Sequence, residues 1–195
     1  MIGNRIGHRL DPYLSTLLRK LRASRGNPNL FTFMGFVSMM VASALLWKEH
    51  WFWAGLAILL SGLFDLFDGV IAREFGKVTV LGGFLDSVLD RYSDLLLLLA
   101  LLVVYQRRGN SVLVIVVSIV SIGTALIPYA RARAEAAQIP CTIGLMERAE
   151  RIILLSVGAL FQCMEGILWV LAFLTHFTVA QRIWYVWKTL RKRKR

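Results

Sequence analysis

The chain has 195 residues, 57% of them hydrophobic and 18% charged, with a formal net charge of +11 and a mean hydropathy of +0.61. Soluble domains average roughly 25% charged and 45 to 50% apolar residues, so both an ordinary water-soluble globule and a disordered chain are excluded. The length suits one domain, and two cysteines make no disulfide framework.

Within residues 1–29, Leu10, Tyr13, Leu14, Leu17, Leu18 and Leu21 interleave with Arg19, Lys20, Arg22 and Arg25, the mixture of a helix lying in a membrane surface. The same stretch lacks an apolar core followed by a small-residue cleavage site, so no cleaved signal is expected. A spanning helix needs about 20 mainly apolar residues to cross roughly 30 Å of hydrocarbon. Six segments meet or approach that length, near residues 30–47, 51–72, 80–105, 111–130, 148–163 and 166–187. The fifth is short and is expected to turn tightly into the sixth around Met164, Glu165 and Gly166. The expected fold is an all-α integral membrane protein. It comprises an N-terminal interfacial amphipathic helix within 1–29, a domain of six transmembrane helices over 30–190 and a basic tail over 191–195. That tail, from Arg191 to Arg195, suits contact with anionic membrane lipids.

Orientation follows from Lys and Arg, which are retained on the cytoplasmic side. Six spans put both termini and the loops at 73–79 and 131–151 on one side, with 19 of the 23 basic residues. Lys48, Arg107 and Arg108 lie on the other side and Arg91 lies within a span. Both termini are therefore expected in the cytoplasm. Trp47, Trp51, Trp53, Trp184, Tyr185 and Trp187 fall near span ends, where amphipathic rings anchor. Cys141 and Cys163 fall on opposite sides and should not bridge. The positive surplus thereby reads as orientation and lipid-phosphate handling, and no nucleic-acid partner is expected.

Acidic residues number only 12, and five of them, Asp65, Asp68, Asp86, Asp90 and Asp94, lie in or at the ends of the second and third spans. An ionised Asp near a bilayer centre costs on the order of 2.5 to 3.5 kcal/mol even on the lenient insertion scale, so such a group needs compensation. Asp65 and Asp68 share one helical face and Asp86 and Asp90 share another. The short loop between the spans is expected to lay those faces alongside each other. Carboxylates so gathered repel unless a cation compensates them, and an all-oxygen set without Cys or His suits Mg²⁺, Mn²⁺ or Ca²⁺. Hard divalent ions on carboxylates commonly serve phosphate chemistry. Gly69 and Gly82 leave room beside the cluster, either for a ligand or as small helix-contact residues, and Arg73 can meet a phosphate bidentately. Asp94 reads most simply as a structural partner of Arg91.

Residues 65–90 are DLFDGVIAREFGKVTVLGGFLDSVLD, which fits D-x2-D-G-x2-A-R-x8-G-x3-D-x3-D at all eight fixed positions. This string resembles the signature of the CDP-alcohol phosphatidyltransferase family, whose members move a phosphatidyl-type group from a CDP-linked lipid to an alcohol and release CMP. The resemblance implies that Asp65, Asp68 and Asp86 are the main metal ligands, for Mg²⁺ or Mn²⁺ and as a pair of ions. It implies that Asp90 joins them or acts as the catalytic base on the acceptor hydroxyl. It places Gly69, Arg73, Thr79 and Gly82 in the pocket for the CDP-diacylglycerol-type donor with Asp65 and Asp68, and Asn29 and Thr32 where the nucleotide is contacted. It also implies a homodimer in a prokaryotic inner or plasma membrane, with a cytoplasmic active site.

The loop between the fourth and fifth spans carries YARARAE (129–135) and ERAER (147–151). Four arginines beside a metal site suit a phosphorylated polyol acceptor, since guanidinium matches phosphate, although lipid head groups could use the same charges. The strings resemble YIKARAE and ERPER of the bacterial phosphatidylinositol-phosphate synthase branch, and Gln181 and Arg182 match a QR pair in its last span. Inositol phosphate is the acceptor so implied. Arg131, Arg148 and Arg182 are the expected phosphate binders, with Arg133, Glu147 and Arg151 orienting them. Arg131 stands for a lysine and Ala149 for a proline. Glycerol 3-phosphate, serine or another alcohol are the alternative acceptors, and a divalent-cation transporter or a basic membrane scaffold are the readings outside enzymology.

Overall fold

A computed structural model describes residues 28–74, 76 and 78–193. The expected surface helix before residue 28, Lys77, and the tail residues Lys194 and Arg195 lie outside the described residues. Six helices follow in order: α1 (Pro28–Trp47), α2 (Trp51–Glu74), α3 (Val80–Arg107), α4 (Ser111–Ala136), α5 (Arg148–Leu160) and α6 (Met164–Arg193).

Local chemistry sets their ends. Pro28 opens α1 at a position where its missing N–H costs nothing. At the far end of α1, Glu49 adopts φ 60° while its N–H bonds Leu46 O and that of His50 bonds Leu45 O, a left-handed cap that reverses the chain. The same pair of bonds closes α3 at Gly109 (φ 68°) and α4 at Gln138 (φ 56°). Thr79 caps α3 by accepting from Gly82 N at 3.0 Å, and Asn110 caps α4 by accepting from Leu113 N at 3.1 Å. Glu147 and Glu150 form a capping box at the start of α5, so Glu147 has a structural task that its expected role in orienting phosphate did not include.

Four stretches are long and apolar enough to cross a membrane: Asn29–Trp47, Trp51–Arg73, Ser111–Ala136 and Met164–Arg193. Outward-facing Val112, Ile115, Ile119, Ile122 and Leu126 form a continuous apolar stripe on α4, the surface of a helix solvated by lipid. α3 is longer than any of the first three but carries Asp86, Asp90, Arg91 and Asp94. At 13 residues, α5 reaches only about 20 Å. It ends at Leu160, and the reversal into α6 falls at Phe161, Gln162 and Cys163, earlier than the turn expected at 164–166. Cys141 and Cys163 are both free, as expected.

α1 packs on α2 and α3, α2 on α5, α5 on α6, α6 on α4, and α4 on α3, which closes the helices into a ring. Contrary to the expectation from the short loop, α2 and α3 do not lie side by side. They splay from that loop and α1 wedges against both, so their acidic faces look at each other across a cleft. The apolar core fills one end of the ring, with Met39, Ala42 and Leu46 of α1 meeting Ile58, Leu98, Leu101, Val117, Leu155 and Leu168. The opposite end, where α1, α3 and α5 begin and α2, α4 and α6 finish, holds the acidic and basic side chains beside a small second apolar cluster of Val70, Ile71, Phe31 and Phe67.

Close helix contacts hold the ring. Ser61 Oγ donates to Gly35 O at 2.9 Å and Ser38 Oγ to Ala57 O at 2.8 Å, joining α1 to α2 through small residues. α4 meets α6 at Gly123, where an added Cβ would sit 2.3 Å from Thr175 Oγ1 and 2.7 Å from Thr175 Cβ. Both groups sit on buried helical turns and cannot rotate away. Gly123→Ala is expected to lower stability by about 1 to 3 kcal/mol, read as a lower melting temperature in detergent.

Candidate active site

Most of the donor residues implied by the resemblance, all but Asp65 and Arg73, line one cleft. A cavity of about 120 Å³ is bounded by Asn29 and Thr32 of α1, Asp68, Gly69 and Ala72 of α2, Val78 and Thr79 of the connecting loop, and Gly82, Gly83 and Asp86 of α3. Three helices converge there because the splay of α2 from α3 is filled at its back by the first turns of α1. Thr32 Oγ1 donates to Asp68 Oδ2 at 2.7 Å, which ties α1 to α2 and orients a carboxylate that is 8% exposed. Thr32, expected to contact the nucleotide, thus acts first on Asp68.

Both signature glycines border this cavity; Gly69 faces a side chain of its own helix, and Gly82 also faces Asn29 of α1. A Cβ on Gly82 would lie 2.8 Å from Thr79 Oγ1 and 3.0 Å from Asn29 Oδ1, inside the cap and the cavity wall together. At Gly69 a Cβ would come 3.2 Å from Arg73 Nη1, because the Arg73 side chain folds back along α2 over the missing side chain. That places the guanidinium over Gly69, one of the residues that line the cavity.

The other half of the cluster is built from α2, α3 and α5. Arg148, at the first turn of α5, reaches into the ring and bonds Asp65 Oδ2, with Asp90 Oδ1 at 2.8 Å and Asp94 Oδ1 at 3.7 Å from its nitrogens. Arg151, one turn on, donates to Asp94 Oδ2 at 2.5 Å. Asp94 is structural in part as expected, but its close partner is Arg151. Arg91 lies 3.8 Å from Asp90 instead. Arg148, expected at the acceptor, is joined to the acids. The paired spacings, Asp90 and Asp94 on α3 and Arg148 and Arg151 on α5, were the available signal.

The remaining arginines are separated. Arg182 is 2% exposed, and it spends Nε on Ile143 O at 2.9 Å and Nη1 on Ile127 O, clamping α6 to the loop before α5 and to α4 beside Pro128. Arg131 is exposed and pairs with Glu135 at 2.8 Å. It lines a polar cavity of about 580 Å³ between α3 and α4, with Ser87, Arg91 and Tyr129. Arg133 is exposed on the last turns of α4. An apolar cavity of about 540 Å³ runs between α2 and α5, lined by Leu59, Gly62, Leu63, Leu66, Ile152 and Ile153 and ending at Asp65 and Arg148.

In kind, Asp65, Asp68, Asp86 and Asp90 suit a hard divalent ion: all donors are carboxylate oxygens, on facing helices beside a cavity. Among the described residues no three acidic, imidazole or thiol groups converge on one point. Arg148 accounts for this, since its guanidinium lies between Asp65 and Asp90 and supplies the compensating charge there.

Comparison with known proteins gives this geometry its context. The family model described as CDP-alcohol phosphatidyltransferase matches residues 26–184. An archaetidylinositol phosphate synthase of Pyrococcus horikoshii is 35% identical over 173 residues, covering 88% of this chain and 89% of that protein. A phosphatidylinositol phosphate synthase of Mycobacteroides abscessus is 35% identical over 184 residues, covering 89% and 81%. The crystal structure of Mycobacterium tuberculosis phosphatidylinositol phosphate synthase with CDP-DAG bound superposes with a TM-score of 0.77 at 29% identity, over 91% of this chain and 92% of that one. The same enzyme in complex with manganese and citrate matches with a TM-score of 0.77 over 89% and 88%. By its match over residues 26–184, its signature and its shared architecture, the chain belongs to the CDP-alcohol phosphatidyltransferase family and is one of its transferases.

Proposed function

We propose that this transferase moves the phosphatidyl group of a CDP-diacylglycerol or its ether analogue onto the hydroxyl of inositol phosphate, in a reaction that needs Mg²⁺ or Mn²⁺, with CMP as the leaving group. The observation that carries the reading is the convergence of the two half-sites. Asp68 and Asp86 wall the donor cavity, while Asp65 and Asp90 are joined to Arg148, a cation of the shape that binds a phosphate. The names of the relatives from Pyrococcus and Mycobacteroides, and the CDP-DAG and manganese in the mycobacterial structures, support it.

In this reading Asp65, Asp68 and Asp86 hold the metal, with Asp90 at its edge. A divalent ion bound there neutralises charge on the pyrophosphate and on the departing CMP. Thr32 keeps Asp68 turned to the cavity, and Gly69 and Gly82 leave room for the nucleotide, with Arg73 at its phosphates. Asp90 takes the proton of the acceptor hydroxyl as it attacks. Arg148 holds the acceptor's phosphate, and Arg131, from its separate cavity between α3 and α4, adds positive charge at the same end of the ring. Arg182 acts through the backbone it clamps, which shapes the mouth of the site. The apolar cavity between α2 and α5 takes a donor chain, because it starts at Asp65 and its walls are aliphatic. Six membrane-crossing helices, with α5 as a short one, put the polar end and both termini in the cytoplasm of a prokaryotic cell, consistent with 19 of 23 basic residues on that side.

The test is CMP release from CDP-diacylglycerol by the purified full chain in lipid nanodiscs, with inositol phosphate, inositol, glycerol 3-phosphate and serine as separate acceptors. Inositol phosphate is expected to be the fastest, with activity lost in EDTA and restored by Mg²⁺ or Mn²⁺. Equal or faster release with glycerol 3-phosphate would overturn the acceptor assignment. Cation flux into liposomes without any CMP release would favour a transporter.

A further inference from the structure

Asp94 lies outside the signature, yet it is 6% exposed and faces an arginine that is 2% exposed. Its two oxygens serve two arginines of α5. Oδ2 accepts from Arg151 Nη2 at 2.5 Å, and Oδ1 lies 3.7 Å from Arg148 Nε. That Nε is buried and has no hydrogen-bond partner, and closing the gap to Asp94 takes about half an ångström. The same guanidinium uses Nη1 on Asp65 and Asp90.

This arrangement has a mechanical consequence. α3 and α5 stand across the ring from each other and are not packed together, so the ion pairs tie one to the other. Arg148 is therefore positioned by charge, with acids on two sides. Asp65 and Asp90 pull its Nη edge toward the donor cluster, and Asp94 holds its Nε edge. A guanidinium is planar, so fixing Nε fixes the direction in which the other nitrogens point. Arg151 in turn fixes Asp94, and a buried carboxylate with a close arginine partner has little freedom to follow Arg148 elsewhere.

We propose that Asp94 is a positioning residue for the acceptor site: anchored by Arg151, it holds the Nε edge of Arg148 so that Nη2 is presented to the acceptor's phosphate. Without that anchor the guanidinium is free to swing about the Nη1 contacts it already makes with Asp65 and Asp90, and Nη2 loses its direction. The inference rests on the reading that Arg148 binds the acceptor phosphate.

The experiment is steady-state kinetics on Asp94→Asn, Arg148→Gln and the double variant, varying inositol phosphate and CDP-diacylglycerol separately, with melting temperature measured alongside. Asp94→Asn is expected to raise the acceptor KM about tenfold and to change the donor KM by less than about twofold. In the Arg148→Gln background it is expected to add nothing, because the two residues act through one contact. Additive effects in the double variant, or a lower melting temperature with both KM values unchanged, would overturn the proposal. If Arg148→Gln itself leaves the acceptor KM unchanged, the assignment of the acceptor site falls and this inference falls with it. If Arg148→Gln raises it and Asp94→Asn does not, the positioning role alone falls. Should Asp94→Asn fail to fold with Arg151 left unpaired, Asp94→Glu carries the test. It keeps the charge opposite Arg151 and displaces the carboxylate by one methylene, and a folded Asp94→Glu protein with an unchanged acceptor KM would overturn the proposal.

Discussion

Asp68→Asn is expected to abolish turnover while leaving a folded protein. The substitution is close to isosteric, and Thr32 Oγ1, now 2.7 Å from Oδ2, finds the same amide oxygen, so the tie between α1 and α2 survives. What disappears is a negative charge on the wall of the donor cavity, where the proposed function needs an anionic metal ligand. An amide oxygen binds a hard cation weakly beside a dianionic pyrophosphate. Losing one preorganised electrostatic contact to developing charge costs roughly 100- to 1,000-fold in kcat, and a metal ligand belongs at or beyond the upper end. CMP release under saturating donor, acceptor and Mg²⁺ measures this, with size exclusion and melting temperature as the control for folding. A variant retaining more than about a tenth of the activity would remove Asp68 from the metal set, and retention is what a membrane scaffold without catalysis would show.

Gly82→Val is expected to act on the donor side with a comparable loss. Its Cβ alone would stand 2.8 Å from Thr79 Oγ1 and 3.0 Å from Asn29 Oδ1, and the cavity it enters has only about 120 Å³. Thr79 cannot yield freely, since its hydroxyl accepts from Gly82 N and caps α3. The branched side chain therefore either breaks the cap or pushes Asn29 and the start of α1 outward. A displacement of about 1 Å at a reacting group costs on the order of 100-fold, and kcat/KM for CDP-diacylglycerol is expected to fall by about that factor. The acceptor KM should hold steady, because Arg148 and Asp94 lie on the other side of the cluster. An equal rise in both KM values would mean that the substitution disrupts the site as a whole.

Much of this was legible in the chain because its physics is local. Hydropathy and length marked the starts of the helices to within two residues, but the expected ends at 130 and 187 fall six residues short of Ala136 and Arg193, where the helices run on through polar residues. The starts expected at 80 and 111 are the observed ones, and Thr79 and Asn110 are ordinary N-caps there. The spacing of Asp65, Asp68, Gly69, Arg73, Gly82, Asp86 and Asp90 identified the family, and of the residues it assigned to the donor pocket Asn29, Thr32, Asp68, Gly69, Thr79 and Gly82 line one cavity, while Arg73 folds over Gly69 and Asp65 faces Arg148 and the apolar cavity between α2 and α5. The turn before α6 was misplaced because Gln162 adopts φ 55°, and nothing in Gln advertises a left-handed residue as Gly does.

The sequence by itself determined the class of the protein. An apolar chain must bury its backbone in helices, its basic residues sort by side, and five acids that are costly in a membrane demand a purpose. Only the tertiary structure decided which charges meet. That choice depends on which helix stands across from which, and a ring closed through α1 and α5 cannot be read from periodicity, because each helix carries its face but not the identity of its neighbour. The wedge of α1 between α2 and α3 turned an expected side-by-side acid pair into a cleft. The reach of α5 across the ring placed Arg148 among Asp65, Asp90 and Asp94, and left Arg182 to hold backbone instead.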